Sequence, residues 1–483
     1  MAMSETGSAW RWWHAAVIAS ALLLAAGQAI LIPSWCDEIA YVDPGAQLAL
    51  TGRMVSTAWL TNSPEALWGS SNPGMPLLFA GWFKLLGFGQ LQARLLFCLL
   101  HFTGVWCFFR WVRLRLDPKP WPLVLGIASA LLLPSLGNAI FQARLECIAF
   151  LLCAWFLHYT YAEVRGLFVD WLAAPALGIV IMFFGLHFAG FFALAALCAF
   201  ALSPSRRTFL LGAGLALGLV AGMAILWAAY VRVGIWETFV AARACHYGRV
   251  LDWVPVGWRR YSVTSDLPWL VLLAGLGLFS AMADSGRRFA RSWIPWLWAL
   301  GAFCFVPVLI GSVGIYYGNY SWMVALPMML CFYFGAPSLA GRWHTAFISI
   351  LVLGLVVVSF KFGKRLPGLA KEAARRQQVT ATLATFMPKG GAVAADFPLY
   401  YQLVDAGYRV YPRVKADEGL CLGFEQDHFL PKAVRGQISC VVTKKQDAAA
   451  ILSGLGGEWR MSAEIPAVSA RQAHDDLQIF VRK

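Results

Sequence analysis

Residues 15–41 read AAVIASALLLAAGQAILIPSWCDEIAY. Eighteen residues, Ala15 to Ile32, all but Gln28 apolar or small, run without a charge, and Pro33 and an acidic pair follow. About 20 such residues, at 1.5 Å each, cross the ~30 Å hydrocarbon core of a bilayer. The block exceeds the core of a signal peptide and no small-residue cleavage site follows it, so it is expected to stay as a first span. Asp37 and Glu38 then stand where that span leaves the membrane.

The rest of the 483 residues extends this pattern. Apolar residues make up 59% and charged residues 13%, with 23 Trp and 33 Phe. A soluble globular chain has roughly 45 to 50% apolar residues by a similar count, so a soluble enzyme is excluded. The net charge is +14, but the cations fall in short clusters between apolar blocks. No long basic stripe of the kind that binds nucleic acid is present, and nucleic acid is not an expected partner.

Ten further apolar blocks follow, at Leu95–Val112, Trp121–Leu136, Cys147–Tyr161, Trp171–Leu186, Phe188–Leu202, Phe209–Tyr230, Leu267–Ala283, Trp293–Gly311, Tyr320–Leu339 and Thr345–Phe360. Eleven spans are expected. Short loops rich in Lys and Arg stay cytoplasmic, and Arg110/Arg113/Arg115/Lys119, Arg165, Arg206/Arg207, Arg287/Arg288/Arg291 and Arg342 all fall on the side of Arg11. The long loops 33–94 and 231–266 and the tail then share the outer compartment. Pro73–Phe88 is apolar but short, opens Pro-Gly-Met-Pro and holds Lys84. If it crossed, each later Arg cluster would be outside, so it reads as a helix lying in the interface.

After residue 362 no further spanning block occurs. A helix is expected at Leu369–Phe386, then strands at Gly391–Ala395, Tyr408–Tyr411, Ile438–Thr443 and Gln478–Val481, with helices at Pro398–Ala406 and Asp447–Leu455. The fold class is thus a polytopic α-helical membrane protein, residues 1–362, followed by a small extracytoplasmic α/β domain, residues 363–483. Of the eleven Cys, most lie in apolar blocks and none forms a metal-binding spacing. Cys421 and Cys440 share an oxidising compartment in this topology, which permits a disulfide without establishing one.

Ionisable residues are nearly absent from the span interiors, which weighs against a proton or ion relay. The acids gather instead at outer span ends. Asp37 could simply cap the helical stretch from Ile39 to Leu50. Arg144 and Glu146, in Ala143-Arg144-Leu145-Glu146 before the fourth span, could be a local ion pair worth under ~1 kcal/mol if exposed. Arg243, His246, Tyr247, Arg249, Arg259 and Arg260 in the second outer loop could face anionic headgroups, although Arg is disfavoured outside. Tyr317, in Tyr316-Tyr317-Gly318-Asn319-Tyr320, could anchor the interface. His101 and His187 read as structural.

Taken together, Asp37-Glu38 with Tyr41, Asn72-Pro73-Gly74-Met75-Pro76, Trp82-Phe83-Lys84-Leu85-Leu86-Gly87 and Ala143-Arg144-Leu145-Glu146 resemble the GT-C superfamily of polyprenyl-phosphate-sugar glycosyltransferases. The likeness is to its protein O-mannosyltransferase and aminoarabinose (lipid A) transferase branch. It covers residues 10–165 in detail and the remainder in layout. The chain departs from the pattern twice: Asn72 stands where Lys or His is common, and Glu146 replaces an Asp.

The resemblance implies an inverting membrane glycosyltransferase. It would move a sugar from a polyprenyl-phosphate donor to a lipid, glycan or protein acceptor on the outer face of a bacterial-type inner membrane. Asp37, Glu38 and Glu146 would be its catalytic acids, and Arg144, Tyr41, Asn72, Lys84, the six outer-loop residues and Tyr317 would bind substrate. The chemistry is consistent with such a site. A lipid-borne donor presents its scissile bond at the membrane surface, the acceptor needs a base, and the departing phosphate needs cations. No cofactor is required on this logic, although the carboxylates of Asp37 and Glu146 suit a hard divalent cation. The rival readings are an oligosaccharyl-type transferase or ligase, which shares the layout, and a lipid or solute transporter, which would show repeats and midspan polar groups instead.

Overall fold

The computed structural model describes residues 12–34, 36–58, 67–69, 71–116, 118, 120–132, 145–160, 167–202, 204–247, 297–302, 322–335, 342–413, 432–467 and 476–483. The membrane part contains α1 (Trp12–Leu31), α2 (Cys36–Thr51), α3 (Gly74–Leu86), α4 (Gln90–Leu116), α5 (Pro120–Leu132), α6 (Ala149–Thr160, entered through a 3₁₀ turn at Leu145–Ile148), α7 (Leu167–Phe184), α8 (Leu186–Leu202), α9 (Arg206–Arg232), α10 (Trp236–Tyr247), α11 (Trp322–Gly335) and α12 (Arg342–Leu383). Three of these, α1, α4 and α9, are long and apolar enough to cross a membrane by length and composition. Large apolar side chains stay exposed along them and along α12, among them Leu23, Trp106, Val220, Trp227, Leu353 and Phe360. An apolar patch on that scale marks contact with lipid or a partner rather than water. The expected span Leu267–Ala283 and most of Trp293–Gly311 lie outside the described residues.

Small residues let the long helices approach closely. A Cβ on Gly218 of α9 would come 2.1 Å from the Pro175 carbonyl oxygen of α7, and one on Gly178 of α7 would come 2.5 Å from the Leu215 carbonyl oxygen of α9. Where lipid is as apolar as the side chains, such backbone proximity supplies the packing energy. A Cβ on Gly104 would meet Leu151 and Phe150 at 2.6 and 2.8 Å, which sets α6 against α4.

These contacts define two ends of the bundle. At one, Arg207 reaches Asp170 (2.8 Å) and the Tyr159 carbonyl (2.9 Å), joining the starts of α9 and α7 to the end of α6. At the other, Tyr230 donates to the Ser71 carbonyl (2.7 Å) and Asn72 to the Met182 carbonyl (2.6 Å), joining the ends of α9 and α7 to the start of α3. At 1.5 Å per residue the 27 residues of α9 separate these ends by about 40 Å, the full thickness of a bilayer with its headgroups.

The C-terminal part is a five-stranded sheet in the order β2-β1-β3-β5-β4, with β1 Ala392–Asp396, β2 Arg409–Arg413, β3 Cys440–Lys444, β4 Trp459–Ile465 and β5 Leu477–Arg482. β1 runs parallel to β2 and β3, and β5 antiparallel to β3 and β4. The two-residue period of the strands divides their side chains. Val393, Ala395, Cys440, Val442 and Ile479 join one core with Val379 and Leu383 of α12 and with Leu403. Ala392, Ala394 and Val441 join another with Val434, Ile451 and Leu455. Leu403 belongs to α13 (Tyr400–Asp405), Val434 to α14 (Lys432–Arg435), and Ile451 and Leu455 to α15 (Ala448–Leu455).

Two expectations change. The helix read at Leu369–Phe386 is continuous with the last apolar block, because α12 runs unbroken through Pro367. The division at residue 362 therefore falls within one helix that both parts share. β4 was not anticipated: WRMSAEI alternates apolar and polar residues, but it holds no continuous apolar run and most of its residues are exposed. Cys440 is a buried free thiol whose burial pushes its pKa up to about 12; Cys421 lies outside the described residues.

Candidate active site

The acidic pair sits in the first turn of α2, which starts five residues after α1 ends. Pro33 cannot continue α1 because it lacks an N–H, and the chain turns there before α2 begins. The backbone of Asp37 is helical. Pro44 and Gly45 follow further along α2, and a Cβ on Gly45 would lie 2.6 Å from Phe79 Cβ and 2.7 Å from the Pro76 carbonyl oxygen of α3. Glycine at 45 therefore lets α2 press directly onto α3, the helix expected in the interface.

Glu38 is fully buried and bound on both oxygens. Arg94, at the start of α4 and equally buried, donates to it from Nε at 2.7 Å and Nη2 at 2.5 Å, while its Nη1 donates to the Ala29 carbonyl at 2.9 Å. One guanidinium thus ties α1, α2 and α4 together through a planar fork that matches a carboxylate. Tyr401 donates a further bond to Glu38 Oε1 at 2.8 Å. Glu38, read from sequence as a catalytic acid, forms the anionic half of this buried pair.

Five residues further along α2, Asp43 is also fully buried. It accepts from Ser56 Oγ (2.7 Å), from the Thr57 and Ala58 backbone N–H groups (2.6 and 3.1 Å), from Thr57 Oγ1 (3.2 Å) and from the Tyr400 hydroxyl. These donors satisfy its lone pairs and hold the chain after α2 against it. Burial, reinforced by the neighbouring carboxylates, holds the hydroxyls of Tyr400 and Tyr401 well above the ordinary tyrosine range, so both remain donors.

Glu146 is buried in the 3₁₀ turn before α6. That turn packs on α4. The acid-bearing turn of α2, held by Arg94, and the turn that carries Glu146 both pack on α4. Tyr41 lies half-buried on α2.

Asn72 and Lys84, read from sequence as substrate-binding residues, lie at the two ends of α3. Asn72 is buried with its amide donating to the Met182 carbonyl, so it ties α3 to α7. Lys84 is exposed in the last turn of α3, where a cation complements the helix dipole. The helix α10 carries Arg243, His246 and Tyr247, but like that of Asp37 their side chains are not among the described atoms. Arg144, Arg249, Arg259, Arg260 and Tyr317 lie outside the described residues.

Sequence reasoning missed Arg94, Asp43, Tyr400 and Tyr401. Arg94 marked only the end of a loop, and Asp43 fell within the helical stretch Ile39 to Leu50 without being singled out. The adjacent tyrosines become informative only when a partner 357 to 363 residues away is known.

No protein-family profile and no curated protein matches this chain. Solved structures do. The chain is similar to the crystal structure of ArnT from Cupriavidus metallidurans bound to undecaprenyl phosphate, with a TM-score of 0.62, 14% identity and 98% of each chain covered. The apo form of the same protein gives 0.59 and 15% identity over 97% of this chain and 98% of that one. The arabinofuranosyltransferase AftD from Mycobacteria gives 0.51 and 14% identity, with 99% of this chain lying on 40% of that one. These neighbours are GT-C glycosyltransferases. At such identity the likeness speaks for the fold: from α1 to the C-terminal sheet, this chain has the GT-C fold.

Proposed function

We propose that the chain is an inverting membrane glycosyltransferase that moves a sugar from a polyprenyl-phosphate donor to a lipid-linked, glycan or protein acceptor on the outer face of the inner membrane. One observation carries this reading. An acid-bearing helix follows the first apolar helix directly, and a buried Arg94–Glu38 pair holds it at the bundle end away from the Arg207–Asp170 pair. The bundle end marked by Arg207 also receives Arg113 and Arg115 from the last turn of α4, as expected for a cytoplasmic end. The acids and the C-terminal domain, which packs beside them, then face outward.

In this reading Asp37 is the general base. It takes the proton of the acceptor hydroxyl or amine as that oxygen or nitrogen attacks the anomeric carbon from the face opposite the lipid phosphate. The glycosidic C–O bond breaks, and the lipid phosphate leaves as an anion that needs no proton. Its charge calls for preorganised cations, a role assigned to Arg144 and the basic residues from Arg243 to Arg260. Glu38 keeps Arg94 and α2 in place rather than acting on substrate. The similarity to a structure holding undecaprenyl phosphate supports a lipid phosphate as the donor's carrier.

The test is transfer by the full-length protein in nanodiscs supplied with polyprenyl-phosphate sugars and with a lipid-linked oligosaccharide. The expected result is release of polyprenyl phosphate and transfer of a single sugar. Turnover of the oligosaccharide alone would favour a ligase, and turnover of neither across a panel of sugars and acceptors would overturn the reading.

A further inference from the structure

Besides α12, whose Arg376 donates to the Leu31 carbonyl (3.2 Å), a short segment after β1 joins the C-terminal domain to the membrane part. Between Phe397 and Gln402 it forms four polar contacts there: the Phe397 carbonyl accepts from Ser34 Oγ (2.6 Å), Tyr400 donates to Asp43, Tyr401 donates to Glu38 (2.8 Å), and Gln402 Nε2 donates to Gln90 Oε1 (2.8 Å). All four partners lie between the α1–α2 junction and the first turn of α4. The segment begins where β1 ends, so the sheet's parallel core is aimed at the acid-bearing helix.

The two tyrosines occupy successive positions of α13 and are completely or almost completely buried. Their rings meet edge-on at 5.6 Å, and Phe88, in the link from α3 to α4, stacks on Tyr401 at 5.8 Å. Phenylalanine would fill this volume equally well. The hydroxyls add something that packing alone would not, because each ends on a carboxylate of α2. Glu38 already has its counter-charge in Arg94, so Tyr401 is not needed to neutralise it; its bond fixes the direction in which the carboxylate and its helix turn point. Tyr400 does the same one and a half turns on, at Asp43.

We infer that Tyr400 and Tyr401 are positioning residues, through which the C-terminal domain fixes the helix turn that carries Asp37. This inference rests on the sugar-transfer reading for its catalytic consequence, but the latch itself is physical and can be measured without any substrate. Misplacing a catalytic group by about 1 Å costs around 10²-fold in rate, and hydrogen bonds to a charged group are among the stronger ones.

Tyr400→Phe, Tyr401→Phe and the double variant, each as the full chain in nanodiscs, test it by two readouts. Amide hydrogen exchange over residues 36–51 should quicken about tenfold in the double variant while α9 is unchanged. The kcat should fall about tenfold in each single variant and about 100-fold in the double, with the donor KM unchanged. Unchanged exchange in α2 would overturn the latch, whether or not the protein transfers sugar. Faster exchange with unaltered kcat would overturn the positioning role and leave the sugar-transfer reading standing. A uniform rise in exchange throughout the bundle, with kcat per folded molecule preserved, would reduce the tyrosines to packing and equally overturn it.

Discussion

Asp37→Asn should lower sugar transfer by about 10²- to 10⁴-fold, the range a positioned general base contributes, while the protein keeps its folded yield and its affinity for the donor. The substitution is nearly isosteric and removes the basic oxygen without disturbing the Arg94–Glu38 pair next to it in the turn. Asn also caps a helix as well as Asp does, so a role limited to capping α2 would leave turnover intact. The measurement is single-turnover transfer by detergent-solubilised protein alongside donor binding. Loss of binding together with rate would mean that Asp37 shapes the donor site. Full turnover would remove it as the base.

The second large effect concerns stability. Arg94→Ala should destabilise the protein by about 3 to 5 kcal/mol, because it leaves the Glu38 carboxylate buried without its counter-charge. The same change strips a donor from the Ala29 carbonyl at the end of α1, so the α1–α2 junction should loosen first. Arg94→Met combined with Glu38→Leu should recover most of the loss, since an apolar pair of similar volume has no stranded charge. Thermal unfolding in detergent measures both. If Arg94→Ala unfolds like the parent protein, the pair is not the staple described here. A double variant as unstable as the single would imply that Arg94 acts through its bond to Ala29 alone.

Much of the fold is legible in the sequence because its physical causes are local. An uncharged apolar block must find a bilayer-like environment, and α1, α4 and α9 lie where Ala15–Ile32, Leu95–Val112 and Phe209–Tyr230 implied. Strands β1, β2, β3 and β5 were visible as short apolar runs for the same reason. β4 was hidden because it is largely exposed, and α12 was read as two helices because Gly363, Pro367 and Gly368 look like breakers. Within a packed bundle a Pro costs one hydrogen bond that neighbours can offset.

The candidate site divides along the same line. Asp37-Glu38 stood out because ionisable residues are nearly absent from the span interiors and this acidic pair follows the first span. The division of labour between them did not, because it depends on Arg94, 56 residues further on. Asn72 drew attention as an odd residue in a recognisable motif, whereas its bond to the Met182 carbonyl, 110 residues away, could not be read from the sequence. Polar residues whose meaning is set by distant partners are the ones a linear reading assigns least well.

The central claim is that lipid phosphate is handled at the bundle end where α2 meets α1. A polyprenyl phosphate bearing a photoreactive group beside its phosphate, crosslinked to the protein in nanodiscs and mapped by mass spectrometry, tests it most directly. Adducts should concentrate in peptides spanning residues 33–51 and 72–94. Adducts concentrated instead around Asp170 and Arg207, about 40 Å away along α9, would contradict it.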